Sequence, residues 1–151
     1  MFIRKINKND KTSIIKMMEE FYNSPAVLHP VSSKNFSYTV DEFLNGSPYI
    51  DIFIAEINEK PIGYVQTSIT WSNEAGGLAV WLEEIFIKED FRSGGYGSEI
   101  IDFIKKNYKN AARFRLEVEP SNIRAEKLYN KKGFDKLNYL QMSADRNTKN
   151  D

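Results

Sequence analysis

The sequence contains no cysteine and only one histidine, His29. The absence of cysteine excludes disulfide bonds, cysteine nucleophiles and thiolate metal sites. A lone histidine also excludes a metal site built from several histidines, so we expect no metal centre. If the protein is an enzyme, its general acid and base must come mainly from Glu, Asp, Tyr, backbone groups or water.

Two further absences concern partners and location. Lys plus Arg and Asp plus Glu number 21 each, so no basic surplus favours nucleic acid as the main partner. No apolar run approaches the roughly 18 residues of a membrane span, and the start, Met1 to Lys5, lacks the apolar core of a signal peptide. We therefore expect a cytoplasmic protein with neither a membrane nor a nucleic-acid partner.

The length of 151 residues and an apolar content of 41% suit one compact core. We expect a single domain over residues 1–142 and a polar tail over residues 143–151. The first part of the chain predicts a short strand, then a helix, then a loop rich in Pro and Ser, and then a short helix over residues 40–44. The apolar face of the first helix is predicted to hold Ile14, Met17, Met18 and Phe21.

Alternating apolar residues then predict three consecutive strands over 49–57, 62–71 and 78–87. A helix that begins in a glycine-rich turn, a strand over 114–118, a helix capped by Ser121 and a last extended segment over 134–142 follow. The predicted fold class is α/β. An antiparallel meander leads into a βαβ crossover, which gives a mixed central sheet with helices on both faces.

The most informative segment is the glycine-rich turn from Arg92 to Ser98. Its glycines let the backbone approach a ligand, and the helix that follows offers free N–H groups and partial positive charge. We therefore predict a pyrophosphate site. It is not a Walker loop, because Ser98 and Glu99 follow the last glycine, and Ile100 departs from the dinucleotide fingerprint. A strand–helix connection that binds no ligand is the alternative.

The spacing Arg-x-x-Gly-x-Gly, carried by Arg92, Gly95 and Gly97, resembles the acetyl-coenzyme A signature of the GNAT N-acetyltransferase superfamily. The sequence from Leu82 to Ile100 is most similar to that of the diamine (spermidine/spermine) acetyltransferases. The resemblance implies a GNAT-like fold, acetyl-coenzyme A as co-substrate, and a strand edge that pairs with the pantetheine arm at Ile85, Phe86 and Ile87. It also implies that the pyrophosphate is held by the backbone amides of Arg92, Ser93, Gly94, Gly95, Tyr96, Gly97 and Ser98.

A second stretch resembles the other signature of the same family, with Asn122, Ala125, Tyr129 and Gly133-Phe134 in the expected order. The resemblance implies that Asn122 contacts the cofactor arm and that the Tyr129 hydroxyl lies near the thioester sulfur. Amine attack on a thioester expels a thiolate, which a Tyr hydroxyl can protonate. Tyr129 is therefore the candidate catalytic acid; a core tyrosine on an amphipathic helix is the alternative.

Glu83 and Glu84 are the candidates for the catalytic base. Because they are adjacent on a strand, we expect them to point to opposite faces, so that one faces the acceptor. The resemblance places Glu83 where a base acting through water has been proposed and Glu84 at an acidic position near the amine. A solvated face is the alternative interpretation, and Glu117 is a weaker third candidate. The oxyanion would be stabilised by backbone N–H groups of residues 85–87.

The acceptor side is predicted to involve the first helix, the loop after it and the turn between the third and fourth strands. The foremost substrate-binding candidates are Phe21, Tyr22, Trp71 and Glu84, with Asn23, His29, Glu74 and Trp81 beside them. Acidic and aromatic groups together suit an amine, through carboxylate pairing and cation–π contact. Both tryptophans could instead be core or interface residues.

The predicted function is acetyl transfer from acetyl-coenzyme A to a small-molecule primary amine, by direct attack in a ternary complex. Protein or peptide acetylation and a non-catalytic acyl-coenzyme A sensor remain alternatives. The resemblance also implies a homodimer. The loop Glu117–Asn122 departs from the diamine branch, so polyamines, aminoglycosides, amino acids, peptide N-termini and lysine side chains all stay open as acceptors.

Overall fold

The computed structural model describes residues 1–25, 27 and 31–146. None of the helices in these ranges is long and apolar enough to cross a membrane. In chain order the elements are β1 (Phe2–Lys5), α1 (Lys11–Tyr22), α2 (Ser33–Leu44), β2 (Ile50–Ile57), β3 (Lys60–Ser72), β4 (Gly77–Ile87), α3 (Tyr96–Asn107), β5 (Arg113–Leu116) and α4 (Ile123–Lys131).

The five strands form one sheet in chain order. Neighbouring strands are antiparallel, except that β5 lies parallel to β4 after the crossover through α3. The β2–β3 turn has φ values of 49° at Asn58 and 62° at Glu59, which is the backbone that a tight hairpin requires. The predicted mixed sheet, with its meander and its βαβ crossover, is therefore confirmed.

Each face of the sheet carries its own apolar core. On one face, α1 and α2 bury Ile14 and Val40 against Ile52 and Tyr64. On the other face, α3 buries three isoleucines against β3 and β4, and α4 adds partly buried contacts. The buried residues of α3 are Ile100, Ile101 and Ile104. These helices thus fix β4 in the middle of the molecule, with a different environment on each side.

A β-bulge interrupts β4. Thr67 of β3 lies opposite Leu82, and the preceding residue, Gln66, lies opposite Glu84, so that no residue of β3 lies opposite Glu83 in the register of the two strands. An extra residue of this kind shifts the alternation of side chains by one position. Leu82 therefore packs on the α3 side, whereas Glu84 two residues later turns to the α1 side.

The expectation that Glu83 and Glu84 point to opposite faces is consequently wrong. Glu83 accepts a hydrogen bond from Ser68, and Glu84 accepts one from Tyr64. Ser68 and Tyr64 lie four residues apart on the unbroken strand β3 and so share one face. The bulge brings both carboxylates to the face that α1 and α2 partly cover.

Three other boundaries differ from expectation. Helix α2 begins at Ser33 rather than at residue 40, because Phe36 and Val40, one turn apart, both bury in the core and packing outweighs the weak helix propensity of its serines. Asn122 rather than Ser121 caps α4. The last extended segment joins no strand, since residues 135–146 are exposed and form no helix or strand.

Candidate active site

The site lies where β4 and β5 separate. Their pairing runs only from Ala79 to Leu82 in β4, and the chain after Leu116 turns away toward α4. From Glu83 to Ile87 the outer edge of β4 faces no other strand of the sheet in the described part of the chain. A strand edge of this kind offers backbone N–H and C=O groups to an extended ligand. Residues 85–87, predicted to pair with the pantetheine arm, lie on this edge.

The glycine-rich turn follows that edge directly. Ser93 and Gly95 have φ values of 71° and 84°, so the chain reverses sharply before α3 begins at Tyr96. The Arg92 side chain also holds the turn to β4, because its Nε donates to the carbonyl oxygen of Ile87 at 3.0 Å. The turn therefore presents the N-terminus of α3 to the open strand edge.

Fewer amides are available in this turn than the sequence predicted. The Arg92 amide donates to the carbonyl of Glu89 at 3.0 Å, and the Ser98 amide donates to that of Gly95 at 2.9 Å. No backbone hydrogen bond within the described residues uses the amides of Ser93, Gly94 or Gly95, and the first amides of a helix have no partner inside it. The amides free for a phosphate are those of residues 93–97.

A cavity of about 590 Å³ joins these elements to the end of α1 and to α4. It is lined by every predicted coenzyme-binding residue except Gly94, whose missing side chain would meet the ring of Tyr96. Sequence reasoning missed Arg124 and Ser121, which also line it. Among the described residues, its wall holds two arginines and no carboxylate, so the cavity suits an anionic ligand with an apolar arm.

Helix α4 holds the candidate acid at the cavity wall. The Asn122 side chain caps the helix by accepting from the Ala125 amide at 3.2 Å, which leaves its NH₂ group for a ligand. Tyr129 is partly buried and packs edge-on against Phe134 at 6.0 Å. Burial raises the pKa of Tyr129 above its ordinary value of 10.0, so the hydroxyl keeps its proton at neutral pH.

The two glutamates occupy different environments on their common face. Glu84 is 7% exposed, and its oxygens accept from Tyr22 at 2.7 Å and from Tyr64 at 2.6 Å. Burial raises the pKa of Glu84, against the lowering effect of the two tyrosine hydroxyls. Glu83 is exposed and is therefore the carboxylate that solvent and a substrate can reach.

The structure brings some of the predicted acceptor residues to this region and not others. Phe21 lines the cavity, and Trp81 lies opposite Ser68, the partner of Glu83. Trp71 does not reach the site. It is 69% exposed and lies opposite Leu78, six residues and about 20 Å along β4 from Glu84.

Three of the remaining candidates lie elsewhere. Glu74 forms an ion pair with Arg113, and Asn23 and Glu117 are exposed at the ends of α1 and β5. None of these three residues is part of the cavity wall. His29 lies outside the described residues.

The open edge of β4, the glycine-rich turn and Tyr129 surround one cavity, which is the arrangement expected of an acyl-coenzyme A-dependent transferase. The family model described as Acetyltransferase (GNAT) family matches residues 14–134. The chain belongs to this family: it is an acyl-coenzyme A-dependent N-acetyltransferase, with acetyl-coenzyme A as co-substrate.

Similar proteins agree with this assignment. A thialysine N-epsilon-acetyltransferase of Sus scrofa is 27% identical over 139 residues, which cover 85% of this chain and 81% of that protein. A possible acetyltransferase from Clostridium difficile 630 has the same fold, with a TM-score of 0.82, 17% identity and coverage of 96% and 97%. An aminoglycoside N-acetyltransferase in complex with CoA gives a TM-score of 0.78, 21% identity and coverage of 96% and 94%.

Proposed function

We propose that the protein transfers the acetyl group of acetyl-coenzyme A directly to a primary amine of a small molecule, within a ternary complex. The observation that carries this proposal is Tyr129. Its hydroxyl makes no hydrogen bond within the described residues, its pKa is raised by burial, and it lines the cavity that the open edge of β4 also lines. A proton donor is therefore available beside the strand on which a thioester would lie.

The coenzyme is held by main-chain groups and two arginines. The outer edge of β4 at residues 85–87 pairs with the pantetheine arm, and the free amides of residues 93–97 bind the pyrophosphate. Arg92 and Arg124 add positive charge along the cavity wall. The Asn122 NH₂ group, which capping leaves free, donates to the arm.

The chemistry then needs one base and one acid. Glu83, exposed at the bulge, takes a proton from the attacking amine through water. The nitrogen bonds to the thioester carbonyl carbon, and backbone N–H groups of residues 85–87 stabilise the oxyanion. The C–S bond breaks, Tyr129 protonates the departing thiolate, and the second proton of the nitrogen passes to the Tyr129 oxygen, so that the acid is restored.

The acceptor is a cationic amine. Glu83 and Glu84 supply negative charge on one face of β4, and Trp81 offers an aromatic surface opposite Ser68. The relatives named thialysine N-epsilon-acetyltransferase are 26% to 27% identical to this chain. Their name supports an acceptor that carries a primary amine on a flexible side chain.

The experiment that tests the proposal is a thiol-release assay with acetyl-coenzyme A and a panel of amines. The panel includes thialysine, polyamines, aminoglycosides, free amino acids and lysine peptides. Release that depends on a small amine supports the proposal, and release only with peptides points to protein acetylation. Coenzyme binding without release for any amine would favour a sensor.

Gly95→Ala is expected to weaken acetyl-coenzyme A binding by about tenfold or more. An added Cβ at Gly95 would meet no atom within 4 Å, so the methyl group causes no clash within the protein. The positive φ of 84° adds backbone strain of ~1 kcal/mol. The methyl group would instead project where the turn must approach the phosphates. Calorimetric titration with acetyl-coenzyme A measures the loss.

Gly46→Ala is the matched control for this substitution. Gly46 has φ +85° and equally open space, but it follows α2 and does not line the cavity. Both variants should lose similar thermal stability, and only Gly95→Ala should lose affinity. Equal affinity in the two variants would remove the Gly95 backbone from the coenzyme site.

Two copies of the chain associate through residues 134–146. Four apolar side chains of this segment are 51% to 88% exposed, namely Leu137, Tyr139, Leu140 and Met142. Within the described residues β5 pairs only with β4, so its other edge can receive an extended segment from a second copy.

Light scattering should give twice the monomer mass, and Leu140→Asp should shift the protein toward monomer, whereas Tyr38→Asp on α2 should not. A monomeric wild type would contradict this assembly.

A further inference from the structure

A buried carboxylate joins the acceptor-side helix α1 to the coenzyme-side strand β4. The Tyr22 hydroxyl, in the last turn of α1, donates to Glu84 Oε1 at 2.7 Å, and the Tyr64 hydroxyl of β3 donates to Oε2 at 2.6 Å. Glu84 is 7% exposed and Tyr64 is fully buried. Both oxygens of Glu84 are thus engaged by protein groups, which makes direct contact with a substrate amine unfavourable.

This arrangement fixes the polarity of the Tyr22 hydroxyl. A tyrosine hydroxyl has one proton to donate and lone pairs that accept. Once the proton is given to Glu84, the oxygen of Tyr22 can only accept from its next partner. An amine or ammonium N–H is such a partner, whereas a carbonyl or carboxylate is not.

Tyr22 lies beside the cavity and not in its wall. It is only partly buried, and its neighbour Phe21 is a lining residue. The Phe21 ring packs edge-on against the rings of Tyr22 and Phe86 of β4, with ring centroids 5.2 Å and 6.4 Å apart. After burial and Glu84, the charge of Glu83 also raises the pKa of Tyr22, so the Glu83 carboxylate and the Tyr22 oxygen act on the same region.

Further hydrogen-bond acceptors lie on this face of the sheet. Gln66, opposite Glu84 on the same face, has a buried Oε1 with no partner in the described part of the chain. Glu83 adds an exposed carboxylate. A ligand that brings N–H donors complements the Glu83 carboxylate and the accepting oxygen of Tyr22.

We propose that Glu84 is a positioning residue, which does not touch the amine but holds Tyr22 as an obligate hydrogen-bond acceptor for the N–H groups of the acceptor. Tyr22 is then the residue that selects amines, and Glu83 alone remains the base. The inference rests on the proposed function and assigns separate roles to two glutamates that are adjacent in the sequence.

The test is a double-mutant cycle with Tyr22→Phe, Glu84→Gln and the double variant. Thiol release is measured against amine concentration at about pH 8, above the ordinary range of carboxyl pKa values. Tyr22→Phe and Glu84→Gln should each raise the amine KM about tenfold, the scale of one hydrogen bond to a charged group. In Glu84→Gln the new side-chain amide can donate to the Tyr22 oxygen. The Tyr22 hydroxyl then accepts from residue 84 and can turn its own proton toward the substrate. Because Glu84 acts through Tyr22, the double variant should be no worse than Tyr22→Phe alone.

Tyr108→Phe is the matched control. Tyr108 also donates to a carboxylate, Asp51, and is partly buried at the far end of α3. It should lose a similar amount of thermal stability and leave the amine KM unchanged. Acetyl-coenzyme A affinity, measured by calorimetry, should be unchanged in every variant. If Glu84→Gln does not fold, Tyr22→Phe alone still tests the selection of the amine, because it leaves Glu84 and its hydrogen bond from Tyr64 in place.

Three outcomes overturn the inference. Additive effects in the double variant would mean that Glu84 contacts the amine itself. A fall in kcat at unchanged KM for Glu84→Gln would make Glu84 a catalytic group. An unchanged KM in Tyr22→Phe would remove Tyr22 from the acceptor site. Failure of the proposed function is seen separately, as a wild type that releases no thiol with any amine, and the inference falls with it.

Discussion

Tyr129→Phe is expected to lower turnover by roughly a hundredfold or more while acetyl-coenzyme A affinity stays nearly unchanged. The substitution removes one oxygen and leaves the ring in contact with Phe134. The loss of a general acid typically costs a factor of about 10² to 10⁴ in rate. Because burial raises the pKa of Tyr129, the hydroxyl is protonated and able to donate throughout the neutral range.

Steady-state thiol release at saturating amine measures this loss, and calorimetric titration measures affinity. Tyr108→Phe is again the control. Tyr108 is partly buried and its pKa is raised by burial, but it does not line the cavity. Its turnover should match that of the wild type. If Tyr129→Phe turns over at the wild-type rate, water or another group protonates the thiolate and Tyr129 is a packing residue.

The elements around the proposed coenzyme site were predictable because their signals are local, although the cap of α4 was placed one residue early, at Ser121 instead of Asn122. The turn and the helix depend on residues that are near one another in the chain: Gly95 has its positive φ, Asn122 bonds a residue three positions away, and Tyr129 lies on the same helix. The order of strands followed from alternation and turn residues in the same way.

The acceptor side was harder to predict because its contacts are distant in sequence. Tyr22 and Glu84 lie 62 positions apart, and no local pattern indicates their hydrogen bond. The bulge at Glu83 depends on how β4 pairs with β3, so a strand considered alone suggested strict alternation. The last extended segment has a strand-like pattern, but nothing in the described part of a single chain pairs with it, and pattern alone does not supply a partner.

Strands β3 and β4 lie very close together at Gly63. We therefore expect that Gly63→Ala will both destabilise the fold and weaken coenzyme binding. Gly63 pairs with Ile87 of β4. A Cβ at position 63 would lie 2.2 Å from the carbonyl oxygen of Phe86 and 3.2 Å from the Ile87 Cα. Backbone atoms cannot rotate away as a side chain does, so the strands must separate where β4 lines the cavity.

Overpacking of this kind costs ~3 kcal/mol, which for a chain of this length lowers the melting temperature by ~10 °C. Thermal unfolding and calorimetric titration with acetyl-coenzyme A measure the two effects. Gly76→Ala, in the β3–β4 turn, has open space around its Cβ and only the strain of φ +69°, so it should cost ~1 kcal/mol and leave affinity intact. A melting temperature for Gly63→Ala equal to that of Gly76→Ala would mean that β4 can move without loss. The edge of β4 would then not be the rigid support that the pantetheine arm requires.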